Sequence, residues 1–292
     1  MSSKQKKYVN IITFFVLGLF AVSYFSSHHN IFSEFTKIPI LLVLAILLLN
    51  IVQLLIISRV FISVINLNKI KLSFKTSLIL NSNSLVLNFF IPGQAGPVYR
   101  GYYLKEKHNL KPSDYTISTI VYYAVYAVVA VCLLTFGIFP YLLAGILSLA
   151  IIAASYLITL KYLHNLTGKR LSVTPKVLSG LILNTIWQLI LAVAIYYLEL
   201  HFVKHGVKFK EVLSYTAIAS LSLFVSLTPA GIGIREAFLI FSEKITNLNT
   251  NQVVLASLVD RSIYIIYLGI IGIFYIYQKF GNKMLFAKEN TK

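Results

Sequence analysis

Three arginines, Arg100, Arg235 and Arg261, stand within or at the edge of long apolar stretches, and Arg235 and Arg261 each have an acidic neighbour, Glu236 and Asp260. A charged side chain at the bilayer centre costs about 2.5–3.5 kcal/mol on the insertion scale, so such residues turn towards protein interior or water. The planar guanidinium fork suits phosphate oxygens. Asp260 and Arg261 fall about nine residues into their apolar segment, roughly 13 Å of helix rise and close to a bilayer midplane. Two readings follow. The arginines form a cationic site for a lipid phosphate, or the acidic and basic residues pair across helices and hold the chain together. Neighbours in sequence do not face each other on a helix, so each acid and base must find its partner on another element.

Two of these arginines follow a break in an apolar pattern. Pro92, Gly93, Gly96 and Pro97 precede Arg100; Pro229, Gly231 and Gly233 precede Arg235. Proline removes a backbone donor and clashes with the preceding turn, and glycine loosens the helix further. Unwound backbone at membrane depth is tolerated only inside protein or beside a wet cavity. Helix N-termini just after Gly96 and Gly233 add free N–H groups and a positive dipole end to any anion site there. Pro92 and Pro229 stand 137 residues apart, and Gly96 and Gly233 each follow four residues later. Interrupted segments at matching positions of two halves point to a transporter site.

The elements that must position these residues are apolar helices. The chain has 292 residues, 58% apolar and 12% charged, with 26 Lys and Arg against 9 Asp and Glu. Its mean hydropathy is +0.79. Soluble domains carry about 25% charged residues, so this is neither an ordinary globular nor a disordered chain. The net charge of +17 does not indicate a nucleic-acid partner, because the basic residues lie between apolar runs. Eight apolar segments are expected at about 9–25, 38–66, 76–104, 115–139, 140–163, 177–200, 212–245 and 252–279. The whole of 1–292 reads as one transmembrane domain, with a first repeat at about 38–139 and a second at about 177–279.

Charge placement tests the topology. If all eight segments cross, inside and outside regions hold 13 and 11 Lys and Arg; if the third and seventh re-enter, they hold 18 and 6. The positive-inside rule favours the second arrangement. The expected fold is therefore an all-α polytopic membrane protein with six full spans and two Pro/Gly-broken re-entrant hairpins in an inverted repeat, eight spans being the alternative. A multi-pass protein of the cytoplasmic (inner) membrane with both termini in the cytoplasm is expected.

The paired elements resemble the flippase-like family that includes the transmembrane region of lysylphosphatidylglycerol synthase. Pro92-Gly93, Gly96, Arg100 and Tyr103-Leu104 match its Pro-Gly-x-x-Gly-x-x-x-Arg-x-x-Tyr-Leu pattern. Thr228-Pro229-Ala230-Gly231-Ile232-Gly233-Ile234-Arg235-Glu236 is similar to its Thr-Pro-Gly-Gly-x-Gly-x-Arg-Glu pattern, and Arg261 matches an arginine of the next helix. Gln94 and Pro97 stand where the family usually has Arg and Glu; Ala230 replaces a glycine; Tyr122, Tyr123 and Tyr126 stand where members often carry charges. The resemblance implies a lipid-handling membrane domain without the aminoacyl-transferase activity of the full synthase. The leading expectation is a translocase moving a phosphate-bearing phospholipid or polyprenyl-phosphate lipid between leaflets. A non-catalytic accessory subunit of a membrane glycosyltransferase or lipid-modifying enzyme is the alternative.

Other signals are weaker. No buried histidine or paired carboxylates suggest acid–base catalysis, and there is no P-loop, so neither an enzyme nor a cofactor is expected. His201 and His205 have the i, i+4 spacing of a metal pair but no clear third ligand, so no metal site is expected. Ser214, Ser220, Ser222 and Ser226 read as small packing residues rather than a polar path, and Gly137 and Gly145 as close-packing glycines. Cys132, in an apolar run, reads as packing, and Glu199, near a helix end, as interfacial.

Overall fold

The structure, a computed structural model, describes residues 37–90, 95–159, 161, 171, 174–224 and 234–289. The expected span at 9–25 lies outside the described residues, as do Pro92, Gly93, Pro229, Gly231 and Gly233. The described chain is helical: α1 (Ile40–Asn66), α2 (Phe74–Phe90), α3 (Ala95–His108), α4 (Pro112–Ile138), α5 (Tyr141–Ile158), α6 (Pro175–Val203), α7 (Phe209–Ser222), α8 (Ile234–Phe241), α9 (Glu243–Thr246) and α10 (Thr250–Glu289).

Local sequence sets the helix starts. Pro112 and Pro175 occupy the first turns of α4 and α6, where their missing N–H costs nothing. Thr174 caps α6 by accepting from the Val177 N–H at 3.4 Å. The Glu211 carboxylate reaches back to the Lys208 N–H at 3.1 Å and fixes the start of α7. Asn109 and Asn247 turn the chain after α3 and α9 with φ of 51° and 52°, a region asparagine tolerates better than most residues.

Among the described residues, α1, α4, α5, α6 and the Thr250–Ile273 part of α10 are long and apolar enough to cross a membrane. α2 and α7, with 17 and 14 residues, are not among them. The outward faces of α1 and α5 are unpaired leucines, with Leu48 62% and Leu142 82% exposed. Apolar surface on that scale belongs in hydrocarbon rather than water. The chain is an all-α, multi-pass membrane protein.

The broken segments form two hairpins that open at opposite ends of the bundle. α2 and α3 pack against each other. Between α1 and α2, the Asn68 amide donates to the Ser118 hydroxyl near the start of α4 at 2.7 Å, so the chain enters and leaves this hairpin at one end. α7 and α8 also pack together. Lys204, just before α7, holds Glu211 at 2.8 Å and the Asn247 carbonyl, just before α10, at 2.9 Å. Lys210 donates to the Phe139 carbonyl, at the far end of α4, at 2.8 Å. The second hairpin therefore opens where α4 ends, and the first where α4 begins.

Glycine and serine allow the tight contacts. A Cβ on Gly96 would lie 2.6 Å from the Ser84 carbonyl oxygen, and the Gly96 N–H donates to Asn88 Oδ1 at 2.7 Å. A Cβ on Gly137 would lie 2.9 Å from the Ser214 backbone nitrogen, so α4 and α7 touch there, as expected of a packing glycine. Gly145 corrects the same expectation. A Cβ there would meet nothing within 4 Å, because this face of α5 points away from the bundle. Cys132 is buried, its thiol 3.7 Å from the Ser148 carbonyl of α5.

Candidate functional site

The second hairpin and α10 are joined by a double clasp. Arg235 Nη1 lies 2.5 Å from Asp260 Oδ2, and Arg261 Nη2 lies 3.4 Å from Glu236 Oε1. The geometry follows from helix periodicity. Successive residues point about 100° apart at 3.6 residues per turn, so neither adjacent pair can close on itself, and two such pairs on facing helices exchange partners. The shorter bridge is also the drier: the Arg235 and Asp260 side chains are 6% and 16% exposed. Ser257, one turn before Arg261 on α10, adds a hydroxyl donated to Glu236 Oε1 at 2.5 Å.

Arg235 is more than an ion-pair member. Its guanidinium sits 5.3 Å from the centroid of Tyr196 on α6, a cation–π contact. Its Nε and Nη2 are buried and, among the described residues, make no hydrogen bond of good geometry, the Tyr215 hydroxyl standing nearby. Guanidinium N–H groups have five donor positions, and buried ones left unmade carry a desolvation cost of about 1–3 kcal/mol. An acceptor brought to this side of Arg235 removes that cost.

The space for such an acceptor exists. Arg235 stands on the wall of a cavity of about 200 Å³, bounded by α1, α2, α4, α6, α7 and α10. Its lining mixes polar groups, including Asn50, Gln53, Gln188 and Ser220, with tyrosines from α4, α6 and α10. Ser220 thus belongs to the cavity wall, whereas Ser214 belongs to the α4–α7 contact; Ser226 lies outside the described residues.

Arg100 occupies a different setting. Its Nη1 donates to Asn81 Oδ1 on α2 at 2.7 Å, and its guanidinium lies 4.9 Å from the Phe61 ring centroid on α1. Its Nε is buried without a partner, and among the described residues no carboxylate pairs with it. The structure brings Arg235, Glu236, Asp260 and Arg261 together and leaves Arg100 outside that cluster. Between the two settings stand Tyr122, Tyr123 and Tyr126. Tyr122 donates to Gln188 Oε1 at 3.2 Å, and Tyr123 and Tyr126 pack on Phe224 at 5.7 and 6.0 Å between ring centroids. They form a neutral, hydrogen-bonding wall. Gly96 sits one turn before Arg100, and the hairpin contact at Ser84 and Asn88 fixes the direction in which α3 carries it.

Glu199 overturns its expected interfacial place. It is fully buried, at 0% exposure, and no donor among the described residues reaches either carboxylate oxygen. α6 runs on to Val203, and α7 and α10 pack on it, so a position near a helix end in sequence lies inside the bundle. Sequence reasoning also passed over Asn81 and Ser257. Both carried a signal: Ser257 lies four residues before Arg261, on the same helix face, and Asn81 belongs to an Asn-Ser-Asn-Ser run inside an apolar segment. His201 stacks on Tyr197 at 5.8 Å.

No curated protein matches the chain at a significant level. The family described as the lysylphosphatidylglycerol synthase TM region matches residues 8–272. That match takes in the cavity, both hairpins and all three arginines, and the chain belongs to this family of membrane domains.

Proposed function

We propose that this chain is a lipid translocase of the cytoplasmic membrane that moves a phosphate-bearing phospholipid or polyprenyl-phosphate lipid between leaflets. The observation that carries the reading is the polar cavity with Arg235 on its wall. A phosphate there meets a guanidinium in a setting that excludes most water, where charge-assisted hydrogen bonds are strong. Arg100, with no carboxylate to neutralise it among the described residues, is the second phosphate contact, reached as the headgroup passes the tyrosine wall.

The movement follows from the hairpins. The first half supplies α1 to α4 and the second α6 to α10, and the cavity lies where the halves meet. We read the halves as inverted repeats and the hairpins as re-entrant, one from each membrane face. Rocking one repeat against the other then opens the cavity alternately to the two leaflets. The family match supports a lipid-related membrane role for such a fold.

The test is reconstitution of the purified chain into liposomes carrying a fluorescent phospholipid or polyprenyl phosphate. Protein-dependent transbilayer movement, lost in Arg100→Ala, supports the reading. Equal rates with and without protein sink it, and co-purification of a membrane enzyme together with that result favours an accessory subunit.

A further inference from the structure

Among the described residues, the charged cluster in the second half is short of one positive charge. Arg235 and Arg261 face three carboxyl groups, Glu236, Asp260 and Glu199. Glu236 and Asp260 hold the arginines, and Glu199 is left over, at 0% exposure with no donor to either oxygen. The Asp260 carboxyl lies within hydrogen-bonding reach of it, and two ionised carboxylates have no proton to share across such a contact. The Tyr215 hydroxyl of α7, also at 0% exposure, stands beside the Arg235 guanidinium and close to both Glu199 and Asp260. An ionised carboxylate buried without donors or a counterion is among the costliest arrangements in a protein interior.

We infer that Glu199, Asp260 and the Tyr215 hydroxyl bind one monovalent cation, a proton or a sodium ion. Such a cation supplies what Glu199 lacks: a proton bridges it to Asp260, and a sodium ion takes oxygen ligands from both carboxylates and from the tyrosine. The other groups around Glu199 fit this role. Arg235 of α8 and Arg261 of α10 are already held, Tyr196 of α6 lies over Arg235, α4 brings Tyr126 towards Arg235, and the charged residue of α1, Arg59, is exposed. If the chain moves anionic lipid, a phosphate entering beside Arg235 deepens the charge deficit, so cation uptake accompanies its seating. That coupling rests on the translocase reading; the cation site does not.

The test is thermal unfolding of the purified full-length chain in detergent, without added lipid. Sodium chloride is exchanged stepwise for choline chloride at fixed pH, and in choline alone the pH is stepped from about 5 to 9. A sodium site raises the unfolding midpoint by about 2–4 °C per tenfold rise in sodium, and a proton site raises it similarly per unit fall in pH with sodium indifferent. Glu199→Gln abolishes whichever dependence the wild type shows. Glu199→Asp keeps the charge but withdraws it by one methylene, and shifts the half-effect concentration by about tenfold or more. A wild type indifferent to both cations overturns the inference. So does a dependence that persists in Glu199→Gln or an unshifted half-effect in Glu199→Asp, the latter standing even if Glu199→Gln fails to fold. Cation dependence is read here without transport, so the two claims fail separately.

Discussion

Arg235 and Arg100 differ in what their removal leaves behind. Arg235→Ala strands Asp260 beside the already unpaired Glu199, so it is expected to destabilise by about 3–5 kcal/mol, seen as a large drop in the detergent unfolding midpoint. Adding Asp260→Ala to Arg235→Ala is expected to recover part of that loss, because the stranded charge is then gone; a cycle of the four proteins measures the coupling. Arg100→Ala removes a cation that has no carboxylate partner among the described residues, and leaves the Asn81 amide and the Phe61 ring without it. Its expected cost is about 1–3 kcal/mol, with lipid handling lost while the fold persists. The ion pairs bear out the cross-helix pairing that the sequence suggested: Arg235 and Arg261 each hold a carboxylate on the facing helix.

At the scale of the elements, the hairpin legs depend on one glycine. Gly96→Ala drives a methyl group against the Ser84 carbonyl and the Asn88 amide, backbone and side chain of the facing leg. Overpacking of that kind costs about 1–3 kcal/mol, and the rise in unfolding rate or fall in midpoint checks it. Gly145→Ala is the control, neutral or slightly stabilising, since its Cβ enters open space on a helix. The re-entrant reading predicts which loops share a membrane face. Lys69 and Lys107 are exposed at the end where the first hairpin opens, and Lys244 at the other. Single cysteines at Lys69 and Lys107 are expected to label with an impermeant reagent from one side, and a cysteine at Lys244 from the opposite side. Cys132 is buried and adds little background. Labelling of the Lys69 and Lys107 positions from different sides contradicts re-entry of the first hairpin.

For the molecule as a whole, the apolar runs were legible in the sequence because helix length and hydropathy are local quantities, while most residues of the Pro/Gly breaks lie outside the described residues. The described spans α1, α4, α5, α6 and α10 fall where those runs predict, within a few residues at most ends. The opposed pairing of Arg235 with Asp260 was legible in part, from the rule that neighbours on a helix cannot pair with each other. What was not legible depends on how helices turn about their axes. Nothing in the spacing of Glu199 says that α7 and α10 close over it, nor that Arg100 stands across a tyrosine wall from Arg235. Gly145 shows the same limit, because a glycine in an apolar helix reads alike whether it faces a neighbour or lipid. The central claim is that the cavity between the halves carries an anionic lipid headgroup across the membrane. It is tested most directly by transbilayer movement of a labelled phospholipid or polyprenyl phosphate in liposomes holding the purified chain, compared with Arg100→Ala of equal unfolding stability. The account predicts protein-dependent movement that Arg100→Ala loses; movement no faster than in empty liposomes, or undiminished in Arg100→Ala, contradicts it.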